Sequence, residues 1–257
     1  VDHRGGEGAV HAVEHGAGRP VIVLHGAGVD HREAEACFDP PLAAHGGLRR
    51  VYPDLPGMGR TPAPASVASA DDVLDVLVAY ADQVAGAEPV LLVGHSAGAY
   101  YAQGFAARHP HRVAGLALVC PLLAGTRDVP PHRPVVAAPD LGDEEFRGYF
   151  VVQTPAMLDR YQRFVAPGAA LADEGALVRI GARWELAPPD DARYAGPTLL
   201  VAGRQDSTVG HAATVDLLGA YPRATLAVLD GAGHALPHEQ PALLAELLTG
   251  WLDACEV

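Results

Sequence analysis

The sequence predicts an α/β fold: a mostly parallel, doubly wound sheet with a helical cap inserted between two of its strands. Three observations lead there. Apolar runs such as Val21–Leu24, Val90–Val93 and Leu199–Val201 are unbroken, the pattern of strands covered on both faces. Helical patterns separate these runs as far as residue 120 and again after residue 196, the alternation of a parallel sheet with crossover helices. Between the two stretches, residues 121–195 are rich in Pro, Arg and acids and show short helical pieces without a strong strand. The chain is therefore expected to divide into a core, 1–120 and 196–257, and a cap, 121–195.

Taken in order, Gly8 to His15 alternates weakly and reads as an early edge strand. Val21–Leu24 is a buried strand leading into His25-Gly26-Ala27-Gly28. Asp30 to Ala44 has helical content, and Pro40 and Pro41 are expected to kink or interrupt it, since proline lacks the N–H a helix uses. Arg50–Pro53 reads as a strand ending in the turn-rich loop Asp54–Arg60, and the small, Pro-rich Thr61–Ala70 as a surface connection. Asp71 to Ala85 is the best-patterned helix, with Val73, Leu77, Tyr80 and Val84 on one face. The strand Val90–Val93, a helix over Tyr100–Arg108 and the strand Val113–Val119 complete the first half. After the cap come the strand Thr198–Val201, a helix over Gly210–Ala220 and the strand Leu226–Leu229. A last amphipathic helix, Pro237–Ala254, is striped by Leu243, Leu244, Leu247, Leu248 and Trp251.

Composition narrows the function classes. A chain of 257 residues, 49% hydrophobic and 19% charged, suits one large globular domain with an insertion and not a disordered segment. Net charge is −13, with arginine supplying all 18 positive charges, a balance that repels a phosphate backbone and argues against nucleic acid as a partner. No apolar run has the length that spans a bilayer, and the first eight residues hold no apolar signal-peptide stretch. A cytoplasmic location with no membrane partner is the expectation. Cys37, Cys120 and Cys255 are odd in number and widely spaced, which suits neither a disulfide framework nor a zinc site. Cys120 reads as a small core residue. Nothing calls for a metal or organic cofactor, and the oligomeric state is left open between monomer and homodimer.

The chemistry concentrates at Gly94-His95-Ser96-Ala97-Gly98. This G-x-S-x-G sits between a strand and a helix, the setting of a nucleophile elbow, whose tight turn lifts the serine hydroxyl clear of the sheet. With four serines and 29 glycines in the chain, chance predicts only about 0.05 such matches. Ser96 is the expected nucleophile. A serine hydroxyl needs a base and the base an orienting group, and in an open parallel sheet such groups gather beyond the carboxyl ends of strands. Asp206 follows the strand ending at Val201, and His234 follows the strand ending at Leu229 within a glycine loop. His234 is the expected base and Asp206 its carboxylate partner, with Asp230 the rival. His238 is expected only to neighbour the site. The oxyanion hole is assigned to the backbone N–H groups of Ala97 and Ala27, with Gly28 second to Ala27. His25 is expected to organise its loop through hydrogen bonding.

These motifs together (HGAG, DLPGMGRT, GHSAG, GRQD and GAGH, in that order) resemble the α/β-hydrolase superfamily over nearly the whole chain. The resemblance implies the α/β-hydrolase fold and a Ser-Asp-His triad. Haloalkane dehalogenases and epoxide hydrolases of this fold use an aspartate nucleophile, where this chain has Ser96. The meta-cleavage hydrolases usually carry Trp after the catalytic His, where this chain has Ala235. Proline iminopeptidases typically show a GGSWG-like elbow, unlike GHSAG. What remains is similar to small bacterial carboxylesterases, lactonases and thioesterases.

The expected reaction is hydrolysis of a small carboxylic ester, lactone or thioester through an acyl-enzyme on Ser96, with a small-molecule acyl substrate. The alternatives keep the triad for C–C bond hydrolysis, acyl transfer or a cofactor-free oxygenase or lyase step; a non-catalytic ligand receptor is the reading from another class. Within the cap, Tyr149, Met157, Tyr161 and Trp184 are the candidate substrate-lining residues, joined by Gly28 from the core. The arginines of the cap, among them Arg127, Arg147, Arg160, Arg163, Arg179 and Arg183, offer a place for a substrate carboxylate or phosphate.

Overall fold

The computed structural model describes residues 9–125, 128–187 and 193–256. Seven strands form one sheet: β1 (Ala12–Gly16), β2 (Arg19–Leu24), β3 (Leu48–Pro53), β4 (Val90–His95), β5 (Val113–Val119), β6 (Thr198–Gly203) and β7 (Ala224–Leu229). Their spatial order is β1-β3-β2-β4-β5-β6-β7. Only β1 runs antiparallel, against β3; every other pairing is parallel. The core helices are α1 (His31–His45), α2 (Ala70–Ala85) and α3 (Ala97–Arg108). Between β5 and β6 lie α4 (Glu144–Tyr149), α5 (Pro155–Arg160), a π-helical turn Tyr161–Val165, α6 (Ala166–Ala169) and α7 (Glu174–Gly181). The chain closes with α8 (Ala212–Asp216), α9 (Leu236–Glu239) and α10 (Pro241–Ala254).

Alternation along each strand divides the core into two layers. Ile22, Leu24 and Leu92 pack with α2 and α3, whereas Val21, Val23, Leu91 and Val93 pack with α1 and α10. Each fully buried Val or Leu stabilises the fold by about 1.5–3 kcal/mol relative to exposure. The segment between β5 and β6 has a third cluster of its own, Phe146, Phe150, Tyr161 and Val165, which meets Val29 and Ala235 of the core.

Several elements differ from their sequence expectation. Pro40 and Pro41 lie inside α1, which runs through them. Pro40 has no N–H for the Ala36 carbonyl, and Arg160 supplies the missing donor, its Nη2 lying 3.3 Å from Ala36 O. The connection 61–70 is not wholly superficial: Val67 is buried and Ser69 caps α2 by accepting from Asp72 N. The helix expected over 210–220 is the short α8 followed by a 3₁₀ turn, Leu217–Gly219. The expected terminal helix is broken at Gln240 into α9 and α10, with Pro241 opening the second. Gly8 of the expected early strand and Arg127 of the expected cap fall outside the described residues.

Candidate active site

Ser96 stands between β4 and α3 with φ +55° and ψ −117°, a left-handed conformation that a non-glycine residue adopts only where its surroundings enforce it. Two glycines enforce it here. A Cβ at Gly98 would lie 2.2 Å from Leu24 O, and one at Gly94 would lie 2.5 Å from Ala99 N. The elbow thus presses against the end of β2 with no room for any larger residue, and the serine projects beyond the sheet.

The loops after β6 and β7 meet it there. His234 Nε2 lies 2.9 Å from Ser96 Oγ, and His234 Nδ1 lies 2.9 Å from Asp206 Oδ2. The other Asp206 oxygen accepts from Thr208 N at 2.8 Å and Val209 N at 2.9 Å. Burial opposes the charge of Asp206, but the hydrogen bond from His234 and those two amides outweigh it and hold the carboxyl below its usual value. Because Asp206 then only accepts, the imidazole proton stays on Nδ1 and the Nε2 lone pair faces the hydroxyl. The rival Asp230 is spent elsewhere, accepting from Gln205 Nε2 at 2.7 Å on the exposed side of the loop.

Two further groups fix the imidazole-bearing loop. His95 Nε2 donates to His234 O at 3.0 Å, and its ring centroid lies 5.1 Å from that of His234. Burial drives His95 down to about 4, so it is a neutral strut at physiological pH. Glu239 accepts from Gly233 N at 2.7 Å with one oxygen and from Val151 N and Val152 N, at 2.7 and 3.0 Å, with the other. One carboxylate thereby ties the histidine loop to the inserted segment.

The backbone groups assigned to the oxyanion hole lie at the same place. Ala97 is the first residue of α3, where a helix leaves its N–H without an intrahelical acceptor. Ala27 lines the cavity above Ser96 from the loop after β2. His25 braces that loop: Nδ1 donates to Gly26 O at 2.7 Å, and Nε2 accepts from Leu55 N at 2.9 Å. Burial keeps His25 neutral by lowering its pKa, which this donor-and-acceptor role requires.

The cavity over Ser96 holds about 230 Å³. Gly28, Tyr149 and Tyr161 line it, as the sequence suggested. Met157 and Trp184 do not, which corrects their assignment. Met157 packs within the apolar cluster of the inserted segment, and Trp184 sets its ring 5.7 Å from Tyr100 of α3. The described arginines of the segment stay out of the cavity as well. Arg147 and Arg179 cap backbone carbonyls, Arg183 donates to Ala68 O, and Arg163 pairs with Asp159 on the surface. The cavity's charged wall is acidic instead, formed by Glu33 and Glu145.

Sequence reasoning missed Glu33. An acid in the first turn of a helix reads as a solvated partner for the helix dipole, yet Glu33 is buried, accepting from Tyr149 Oη at 2.7 Å and His238 Nε2 at 3.1 Å on one oxygen. Burial works against its charge, but His238 and Tyr149 prevail and hold it down at about 2. His238 is fully buried, and its Nδ1 accepts from Arg160 Nε at 2.9 Å. Among the described residues, two groups have metal-ligating atoms within 4.8 Å of one another, His95–Cys120–His234 and His11–His31–Asp54. In the second, both Asp54 oxygens already accept from the two histidines and from the amides of His31 and Arg60. Among those residues no helix is long and apolar enough to cross a membrane.

The sequence model described as the alpha/beta hydrolase family matches residues 21–247. The chain is 34% identical over 242 residues to a pimeloyl-acyl-carrier protein methyl ester esterase of Chromobacterium violaceum, covering 88% of this chain and 91% of that one. It is 32% identical over 250 residues to the biotin biosynthesis bifunctional protein BioHC of Cellvibrio japonicus, covering 88% of this chain but only 46% of that longer one. Among solved structures, an alpha/beta superfamily hydrolase from Oenococcus oeni superposes with a TM-score of 0.89 at 24% identity, over 96% of this chain and 97% of the other.

Proposed function

The chain belongs to the alpha/beta hydrolase family, and from that premise we propose that it is a serine hydrolase that cleaves a small carboxylic ester through an acyl-enzyme on Ser96. The observation that carries this reading is the unbroken line Ser96 Oγ, His234, Asp206, with both hydrogen bonds at 2.9 Å. His234 takes the serine proton as Oγ attacks the carbonyl carbon, then returns it to the departing alcohol. It next deprotonates a water, which attacks the acyl-enzyme, and the proton passes to Ser96 Oγ as the acyl–oxygen bond breaks and the acid is freed. Asp206 keeps the imidazole in the required tautomer and balances the imidazolium. The amides of Ala27 and Ala97 receive the oxyanion, and each is worth about 3–4 kcal/mol of transition-state stabilisation. The segment 121–195 serves as a cap that encloses the acyl group, with Tyr149 and Tyr161 as its walls. An ester-cleaving relative covering nearly the full chain supports the substrate class.

The test is release of alcohol from p-nitrophenyl acetate and butyrate, with Ser96 labelling by a fluorophosphonate read by peptide mass spectrometry. Ser96→Ala is expected to lose turnover by roughly 10⁴-fold or more and to lose the label. Unchanged turnover in that variant would overturn the reading. A labelled Ser96 with no ester turnover would transfer the triad to its other chemistries.

A further inference from the structure

Glu33 offers the cavity something that the proposed acyl-transfer steps do not use. Both of its hydrogen bonds, from Tyr149 Oη and His238 Nε2, fall on Oε1. No described residue donates to Oε2, and among the described residues the side-chain polar atoms sealed without a partner are those of Tyr80, Arg112, His132, Tyr194 and His211, not Oε2. Oε2 therefore keeps an opening, and the space that Glu33 lines is the cavity over Ser96. The residue as a whole is only 3% exposed. A carboxylate oxygen so placed is an acceptor waiting for a donor, and leaving it unmatched in a bound complex costs its desolvation.

The surroundings fix the sign of what fits. Arg160 Nε donates to His238 Nδ1, so the imidazole carries its proton on Nε2 and directs it at Glu33. Arg160 itself is held behind the wall by Ala36 O and His238, the first of these being the carbonyl freed by Pro40. Its charge is turned away from the cavity, and the other charged side chain at the lining, Glu145, is also acidic. Tyr149 spans the gap to the reacting centre: its hydroxyl is bonded to Glu33, and its ring centroid is 6.3 Å from that of His234.

We propose that Glu33 is a specificity-determining residue: its free carboxylate oxygen selects esters that carry a hydroxyl or ammonium donor near the scissile group and rejects those that carry a carboxylate there. This rests on the reading that Ser96 is the acylated residue, since the cavity is defined by it. Donor-bearing esters complete the hydrogen bonding of Oε2, while a second carboxylate finds no donor on that atom and sets its charge beside that of Glu33.

Four methyl esters of similar size separate the outcomes: butyrate, 3-hydroxybutyrate, 3-aminobutyrate and the monoester of succinate. Affinity for the Ser96→Ala protein is measured by NMR titration, and kcat/KM for the wild-type protein by methanol release, both at neutral pH. The ammonium ester is expected to exceed the succinate monoester by roughly 10- to 100-fold in both, with the hydroxy ester above butyrate. Glu33→Gln is expected to collapse the ammonium-to-succinate ratio to within about threefold of unity. An ammonium preference over the hydroxyl marks charge as the selector; equal gains mark the hydrogen bond alone. The proposal is overturned if wild type and Ser96→Ala accept the succinate monoester as readily as the ammonium ester, or if Glu33→Gln keeps the ratio. Selective binding without turnover would sink the hydrolase reading and leave this one standing, so the two failures are distinct.

Discussion

Two buried imidazoles, four residues apart, each lean on a buried carboxylate, and only one of them can act as a base toward a serine. His234 donates a hydrogen bond from Nδ1–H to Asp206 and turns its Nε2 lone pair to Ser96 Oγ. His238 donates a hydrogen bond from Nε2–H to Glu33, but its Nδ1 accepts from the Arg160 guanidinium. A histidine–carboxylate pair is therefore not a catalytic signature by itself. What the second ring nitrogen faces decides the role: an O–H that can surrender a proton, or a cation that never will. In the proposed reaction the first pair moves a proton, while the second holds a wall in place.

The largest expected effect separates the two carboxylates that the sequence offered as partners of His234, Asp206 and Asp230. Asp206→Asn should lower kcat for p-nitrophenyl butyrate by roughly 10⁴-fold, because an amide favours the wrong imidazole tautomer. Asp230→Asn, on the exposed side, should stay within about twofold of wild type. Equal losses in steady-state assays would erase the distinction drawn between them.

The second pair should answer in stability. Arg160→Leu strips a donor from both His238 and the Ala36 carbonyl, and urea unfolding is expected to show a loss of about 2 kcal/mol. A loss of a few tenths would mean that the wall does not need its cation.

Acidity should reach the two regions in turn. The unfolded chain protonates His95 near 6.5, the folded one only near about 4. The stability this contributes is complete above pH 6.5 and disappears as pH falls toward 4. Glu33 is lowered from 4.5 to about 2, so its contribution is complete above about pH 4.5 and is lost as pH falls toward 2. Urea midpoints measured between pH 7 and 3 should decline in that order, and His95→Gln should flatten the upper part. A His95→Gln protein with the wild-type slope above pH 4.5 would remove His95 from the account.

The smallest effect tests the outline of the cavity. Trp184→Phe should change KM for p-nitrophenyl butyrate by less than about twofold, since its ring lies against Tyr100. A tenfold change would put Trp184 back among the substrate contacts.

Much of the core was legible because its determinants are local. Val90–Val93 followed by Gly-His-Ser-Ala-Gly demands a buried strand and a tight turn whatever surrounds it, and β4 and α3 flank Ser96 accordingly. Asp206 and His234 were found by asking only which residues follow strands. Where that local rule met a long-range partner, it failed: Pro40 and Pro41 ought to interrupt α1, and they do not. The donor that satisfies Ala36 O comes from Arg160, 124 positions away. The same kind of distance hid the role of the arginines in segment 121–195, the displacement of Met157 and Trp184 from the cavity, and the burial of Glu33.

By itself, then, the sequence determined the order of motifs, the elbow and the two side chains that converge on Ser96, because apolar periodicity and turn-forming residues are read over a few positions. Only the tertiary structure decided what each ring nitrogen of His234 and His238 faces, that Tyr149 bonds Glu33 at the cavity wall, and that an acid rather than an arginine lines it. Those outcomes depend on hydrogen-bond partners brought together from distant segments, and spacing along a chain carries no record of them.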